Sequence, residues 1–192
     1  MSPKIRRYVV GILVIVLVIS VGLNLYEHFV VFPQMQATLN NMRVYALQSW
    51  VDQMDLTQDV LDHAETNFDV YDAKLHTSSA RKFAQIYVTG IDYDAENLYY
   101  LLSYSTSRLD YAIETIFLGN ITGPVPSRYL DQYILQKIGS IIQTIESIKH
   151  SMKMSANGVD PIQQLEEKGN LTNTMNYCDQ IIETSTEIIN YY

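Results

Sequence analysis

Three of the four histidines follow an acidic residue by four positions: Asp59 before His63, Asp72 before His76 and Glu146 before His150; the fourth is His28. Positions four apart share a face of a helix, so each pair could offer an imidazole and a carboxylate to one metal ion. A di-metal carboxylate centre in a helical bundle needs Glu-x-x-His on two helices, with further inward glutamates. No Glu-x-x-His occurs in this chain. The same acid-before-base spacing stabilises an exposed helix by about 0.2–0.5 kcal/mol, and that is the role expected of it. Neither a metal nor a cofactor is expected.

Nucleophilic chemistry has as little support. The chain has no nucleophile elbow, phosphate-binding glycine loop, zinc-type Cys/His spacing or dinucleotide fingerprint. No residue offers a mechanism, so a non-catalytic protein is expected. The lone cysteine, Cys178, falls on an apolar helical stripe and reads as a buried, inert thiol. It cannot form an internal disulfide, so packing must hold the fold. Asn120-Ile121-Thr122 and Asn170-Leu171-Thr172 match the glycosylation acceptor pattern, which a chain rich in Asn, Ser and Thr meets about once or twice by chance.

Tyrosine is the unusual residue. There are 15 in the chain. Tyr93, Tyr100, Tyr104 and Tyr111 are spaced to share one helix face beside the Leu98, Leu101 and Leu109 stripe. Tyrosine suits surfaces with one end buried and the other wet, so this flank is a candidate interaction or self-association surface. Boundary packing with the hydroxyls in solvent is the plainer alternative.

The elements that must position these residues begin with a membrane segment. Tyr8 to Tyr26 is uncharged and almost wholly apolar, and apolar character resumes from Phe29 to Phe32. That is close to the roughly 20 residues a helix needs to cross the hydrocarbon core. Lys4, Arg6 and Arg7 precede it, and no basic cluster follows it closely. The positive-inside rule then places residues 1–7 in the cytoplasm, an anchor over 8–26 that can extend to 32, and residues 33–192 outside. The alternative is a secreted helical protein released by signal-peptide cleavage near Ser20-Val21-Gly22.

The part beyond the anchor holds all 21 acidic residues and ten of the 13 basic ones, a net charge of −11. This disfavours nucleic acid and anionic lipid as partners. Its length of about 160 residues suits one domain with a real core. Apolar residues recur there at steps of three and four. The first stripe runs Met35, Leu39, Met42, Ala46, Trp50, Met54, then Thr57, Leu61, Ala64, Phe68, Tyr71, Leu75. It predicts one long helix over roughly 34–88, starting as a membrane-proximal stalk. A second stripe runs from Leu98 to Ile116 and a third from Leu130 to Met152, capped by Ser127. A fourth holds Leu171, Met175, Cys178, Ile182, Ser185, Ile189 and Tyr192, with Gly169-Asn170 as a candidate break. Turns are expected near 89–92, 119–127 and 155–160, with 77–79 an alternative to the first. Asp160-Pro161 supplies an N-cap and a first-turn proline.

No segment alternates with period two, so the expected fold is all-α. It is an N-terminal transmembrane helix followed by an extracytoplasmic up-down bundle of about four helices, the first one long. At the level of fold alone, this architecture resembles the outer sensor domains of chemoreceptors and histidine kinases. The chain departs from that pattern, since it shows no second membrane helix and no cytoplasmic output domain. The first functional expectation is a single-pass anchored interaction or scaffold module, meeting an envelope protein or another copy of itself. The second is a ligand-binding, sensor-like domain acting through a separate partner. A pocket with converging polar groups would favour the second, and a filled core with an exposed tyrosine face the first.

Overall fold

The computed structural model describes residues 3–85, 93–122 and 129–192, with side chains for 8–85, 98–119 and 129–192. Among the described residues every regular element is a helix, with one isolated bridge between Thr66 and Tyr129. Helix α1 spans Pro3–Tyr26 and passes through a π-helical turn, Glu27–Val31, into α2, Phe32–Asp62. From Tyr8 through Gln36 every side chain is exposed, and the segment is long and apolar enough to cross a membrane. Pro33 lies just past the π turn inside this continuous run, where its ring and missing N–H disturb the ladder one turn back, and the Phe32 N–H bonds the Glu27 carbonyl in the wider π register.

The helix expected to reach residue 88 stops at Asp62, and this is a correction to the sequence reading. Thr66 adopts an extended backbone and forms a capping box with Asp69. The Asp69 carboxylate accepts from the Thr66 N–H at 2.7 Å, the Thr66 hydroxyl at 2.8 Å and the Glu65 N–H at 3.1 Å. Those bonds satisfy donors at the start of a new helix, so the chain turns back here. Two helices follow, α3 (Asn67–Asp72) and α4 (Lys74–Gln85). Residues 77–79 lie inside α4, so the alternative turn there is ruled out. The preferred turn at 89–92 falls on residues outside those described.

Ala73 just before α4, and Thr77, Ala80 and Ala84 within it, are buried at steps of three and four. This seam of small side chains lets α4 lie close against both α2 and α5, Tyr93–Thr122. The sequence stripe fails where the chain turns. Its members from Ala46 to Ala64 are buried, but Phe68, Tyr71 and Leu75 are exposed.

Helix α5 continues through Gly119 to Thr122, so the break expected at 119 begins later. The ring of Tyr192 covers Gly119, where a Cβ would collide with it. Helix α6 (Gln132–Ser151) is capped by the Asp131 carboxylate, which accepts from the Ile134 N–H at 2.9 Å. Asp131 thus takes the capping role assigned to Ser127, which is outside the described residues. Ile134, Ile138, Ile141, Ile145 and Ile148 of α6 are all nearly inaccessible. Each contributes about 1.5–3 kcal/mol by leaving water.

Helix α7 (Pro161–Glu167) starts on Asp160, and α8 spans Leu171–Tyr191. Gly169 separates them with φ +67°, and the Asn170 N–H donates to the Leu165 carbonyl at 2.8 Å. A residue in left-handed backbone after a helix closes its last turn in this way, and glycine bears it without strain. The buried stripe of α8 is Thr174, Cys178, Ile181, Ser185 and Ile188, one position from the expected Ile182 and Ile189.

Helix contacts run in a closed circuit from α2 to α4, α5, α8, α6 and back to α2. Among the described residues, five principal helices therefore surround the core, where about four were expected. Trp50 of α2 reaches across the centre, its indole N–H donating to the Thr106 hydroxyl of α5 at 3.0 Å.

Candidate interaction surface

The histidine pairs separate into different surroundings. His150 meets Glu146 at 3.0 Å. His63 caps the end of α2, its Nδ1 2.8 Å from the Asp59 carbonyl. That backbone contact, with the nearby Asp59 charge, raises its pKa. Asp72 and His76 are parted by the junction between α3 and α4, and His76 faces the Gln53 side-chain oxygen at 3.3 Å. His28 lies in the π turn, edge-on to Phe29. Among the described residues no three His, Cys, Asp or Glu side chains converge on a position for a metal ion.

Cys178 is wholly buried, and burial pushes its thiol up to about 12, against the opposing effect of a Ser105 hydrogen bond. At neutral pH it is therefore a protonated, inaccessible thiol. Asn170 precedes α8 with its side-chain amide donating to the Ser151 carbonyl at 2.9 Å. The Asn120 side chain, and those of Lys4, Arg6 and Arg7, lie outside the described side chains.

Tyr100, Tyr104 and Tyr111 all face outward from α5. Tyr100 and Tyr104 stack in near-parallel planes with centroids 5.7 Å apart, and Tyr100 is 58% exposed. Tyr93 opens α5, but its side chain is outside those described. One position from Tyr100, Tyr99 is fully buried. The helix thus divides its tyrosines between core and surface by register alone.

A second aromatic group escaped the sequence analysis. Phe68 and Tyr71 of α3 pack against Phe117 of α5, with centroids 5.4 and 4.4 Å apart. Tyr191 of α8 stacks on Tyr133 of α6 at 4.7 Å and meets Tyr192 edge-on at 5.3 Å. These residues come from four helices; Phe68, Tyr71 and Tyr192 fall on apolar stripes of the sequence, and Phe117, Tyr133 and Tyr191 on none. The Thr66-x-x-Asp69 spacing, close to a capping box, was the sequence signal that could have exposed Phe68 and Tyr71.

Two grooves on the body are open to solvent. One, of about 320 Å³, is lined by Ser140, Gln143, Thr144 and Ser147 of α6 with Gln180, Glu183 and Thr184 of α8. The other, of about 510 Å³, lies among Val60, Tyr71, Asp72, Leu75 and their neighbours. Comparison with protein-family models, curated proteins and solved structures finds no match.

Proposed function

We propose that this protein is a single-pass membrane-anchored, non-catalytic interaction module. Its first residues face the cytoplasm, and its body is an up-down helical bundle outside the membrane. The observation that carries this is the unbroken passage of an exposed apolar helix into a packed helical body. Lipid is the surrounding that takes such side chains out of water while the helix satisfies its own backbone. Lys4, Arg6 and Arg7 before the segment support the orientation. The outward tyrosines and the solvent-open grooves favour recognition on the surface. The partner is an envelope protein or a second copy of the chain.

The protein should stay with membranes through alkaline extraction. A cysteine placed at exposed Lys153 should react with a membrane-impermeant maleimide in intact cells, against a silent Cys178 background. Labelling of Lys153→Cys only after lysis would overturn the orientation, and recovery of the body in the soluble fraction would overturn the anchor. Cross-linking in native membranes, followed by capture and mass spectrometry, should return one stoichiometric partner or a dimer. An uncross-linked monomer throughout would remove the interaction module.

A further inference from the structure

The end of the body farthest from the apolar segment carries the second aromatic group. Helix α2 has 31 residues, which at 1.5 Å per residue sets that end about 46 Å beyond Phe32. Phe68 is 53% exposed, Tyr129 66% and Leu75 71%. Tyr129 joins this end through its bridge to Thr66, and Tyr192 through its place over Gly119. Aromatic surface this exposed, drawn from several elements into one area, is the usual mark of a recognition site.

Among the described residues, the charged groups exposed around it are mainly acidic, with His63 the base among them. Asp59, Asp62, Glu65 and Asp72 are exposed around it. The two lysines there are engaged, Lys74 with Glu114 and Lys137 with Glu187. Each ammonium also lies over a tyrosine ring, Lys74 at 5.5 Å from Tyr71 and Lys137 at 5.4 Å from Tyr133. The protein thus twice holds one of its own cations between an aromatic face and a carboxylate. The exposed rings and acids beside them offer that arrangement to an outside cation. Like charge disfavours a second copy meeting this end with its own, and equally disfavours nucleic acid.

We propose that this distal end is a docking surface for a basic polypeptide segment, whose Arg or Lys side chains lie on its aromatic rings among Asp62, Glu65 and Asp72. The adjoining groove gives their aliphatic stems an apolar wall at Val60 and Leu75, with Asp72 beside it; its basic members are Lys74, paired with Glu114, and His76, held at the Gln53 side chain. The proposal rests on the interaction-module reading and names the surface and the partner's chemistry.

The test uses the full-length protein in lipid nanodiscs and a short fluorescent peptide alternating Arg and Ser, read by anisotropy. The peptide should bind, weaken with added salt, and bind far better than a matched peptide with Gln for Arg. Phe68→Ser with Tyr71→Ser, which leaves charge unchanged, should weaken binding by about tenfold or more. Tyr100→Ser with Tyr104→Ser, on the other flank, should leave it unaltered. Asp62→Asn with Asp72→Asn should weaken binding and flatten its salt dependence. If circular dichroism shows Phe68→Ser/Tyr71→Ser misfolded, Tyr129→Ser carries the same expectation. Undiminished binding in the aromatic variants, or equal binding of the Gln peptide, overturns the proposal. A partner still captured when the aromatic variants are inserted in membranes would remove this surface and leave the module. Absence of any captured partner would remove the module itself.

Discussion

Trp50 shows what one residue contributes at the centre of the body. Both it and Thr106 are inaccessible to solvent. The Thr106 hydroxyl accepts from the indole N–H and donates to the Leu102 carbonyl. Thr106→Val keeps the volume and strands the indole N–H, which should cost about 1–3 kcal/mol. At roughly 2–4 °C per kcal/mol for a body of this size, thermal melting followed by circular dichroism should register the loss. An unchanged Tm would mean that the indole finds another partner. Trp50 was legible as core from its place on the first stripe; Thr106 was not, because a hydroxyl carries no apolar signal. Surface lysines behave differently. The pKa of Lys74 is raised, chiefly by its hydrogen bond to Glu114. Its stabilising effect is whole below the ordinary lysine value and fades as pH climbs through the raised one, so it is constant near neutrality.

Among the elements, the corner at Ala64–Thr66 decides most. Without it, a straight helix to residue 88 would leave Val70, Ala73, Ala80 and Ala84 without the neighbours that bury them. Thr66→Ala removes the hydroxyl that accepts from the Asp69 N–H and donates to its carboxylate. The expected cost is about 1 kcal/mol, read by thermal melting, with faster amide exchange confined to α3 and the start of α4. Uniform exchange along the chain would show that the corner is held by packing instead. The apolar period of α6 was readable because its stripe is isoleucine throughout. The seam of α4 was not, since Thr77, Ala80 and Ala84 are small or polar, and that of α8 was legible only at Cys178 and Ser185, its Thr174 carrying no apolar signal. A search for large apolar residues chooses the neighbouring register.

For the whole molecule, the contacts that matter join distant parts of the chain. Arg43 of α2 binds the Asp160 carboxylate at 2.8 Å, and Asp160 also caps α7 by accepting from the Ile162 N–H. Nearby, the Asn40 side-chain amide donates to the Gly158 carbonyl at 2.9 Å. The body therefore begins only a few residues beyond the exposed segment, and the long stalk expected from the sequence is absent. Asp160→Ala loses both the cap and the partner of a largely buried arginine, an expected loss of about 2–4 kcal/mol by thermal melting. Asp160→Asn keeps a capping oxygen and should lie between the two. Equal stability of Asp160→Asn and Asp160→Ala would assign the whole effect to the ion pair.

What the sequence determined by itself was local and periodic. The exposed apolar helix follows from an uncharged run, the all-helical class from steps of three and four, and the α7 start from Asp160-Pro161. Each depends on residues within a turn or two of one another. The tertiary structure alone decided where the first long stripe is cut and how many helices close the circuit. It also decided which tyrosines share a surface. Burial at Thr174 or exposure at Phe68 depends on which helix lies opposite, and that neighbour is remote in sequence. The tyrosine flank of α5 could be found by counting residues, because it lies on one helix. The distal aromatic surface could not, because it exists only after α3, α5, α6 and α8 meet.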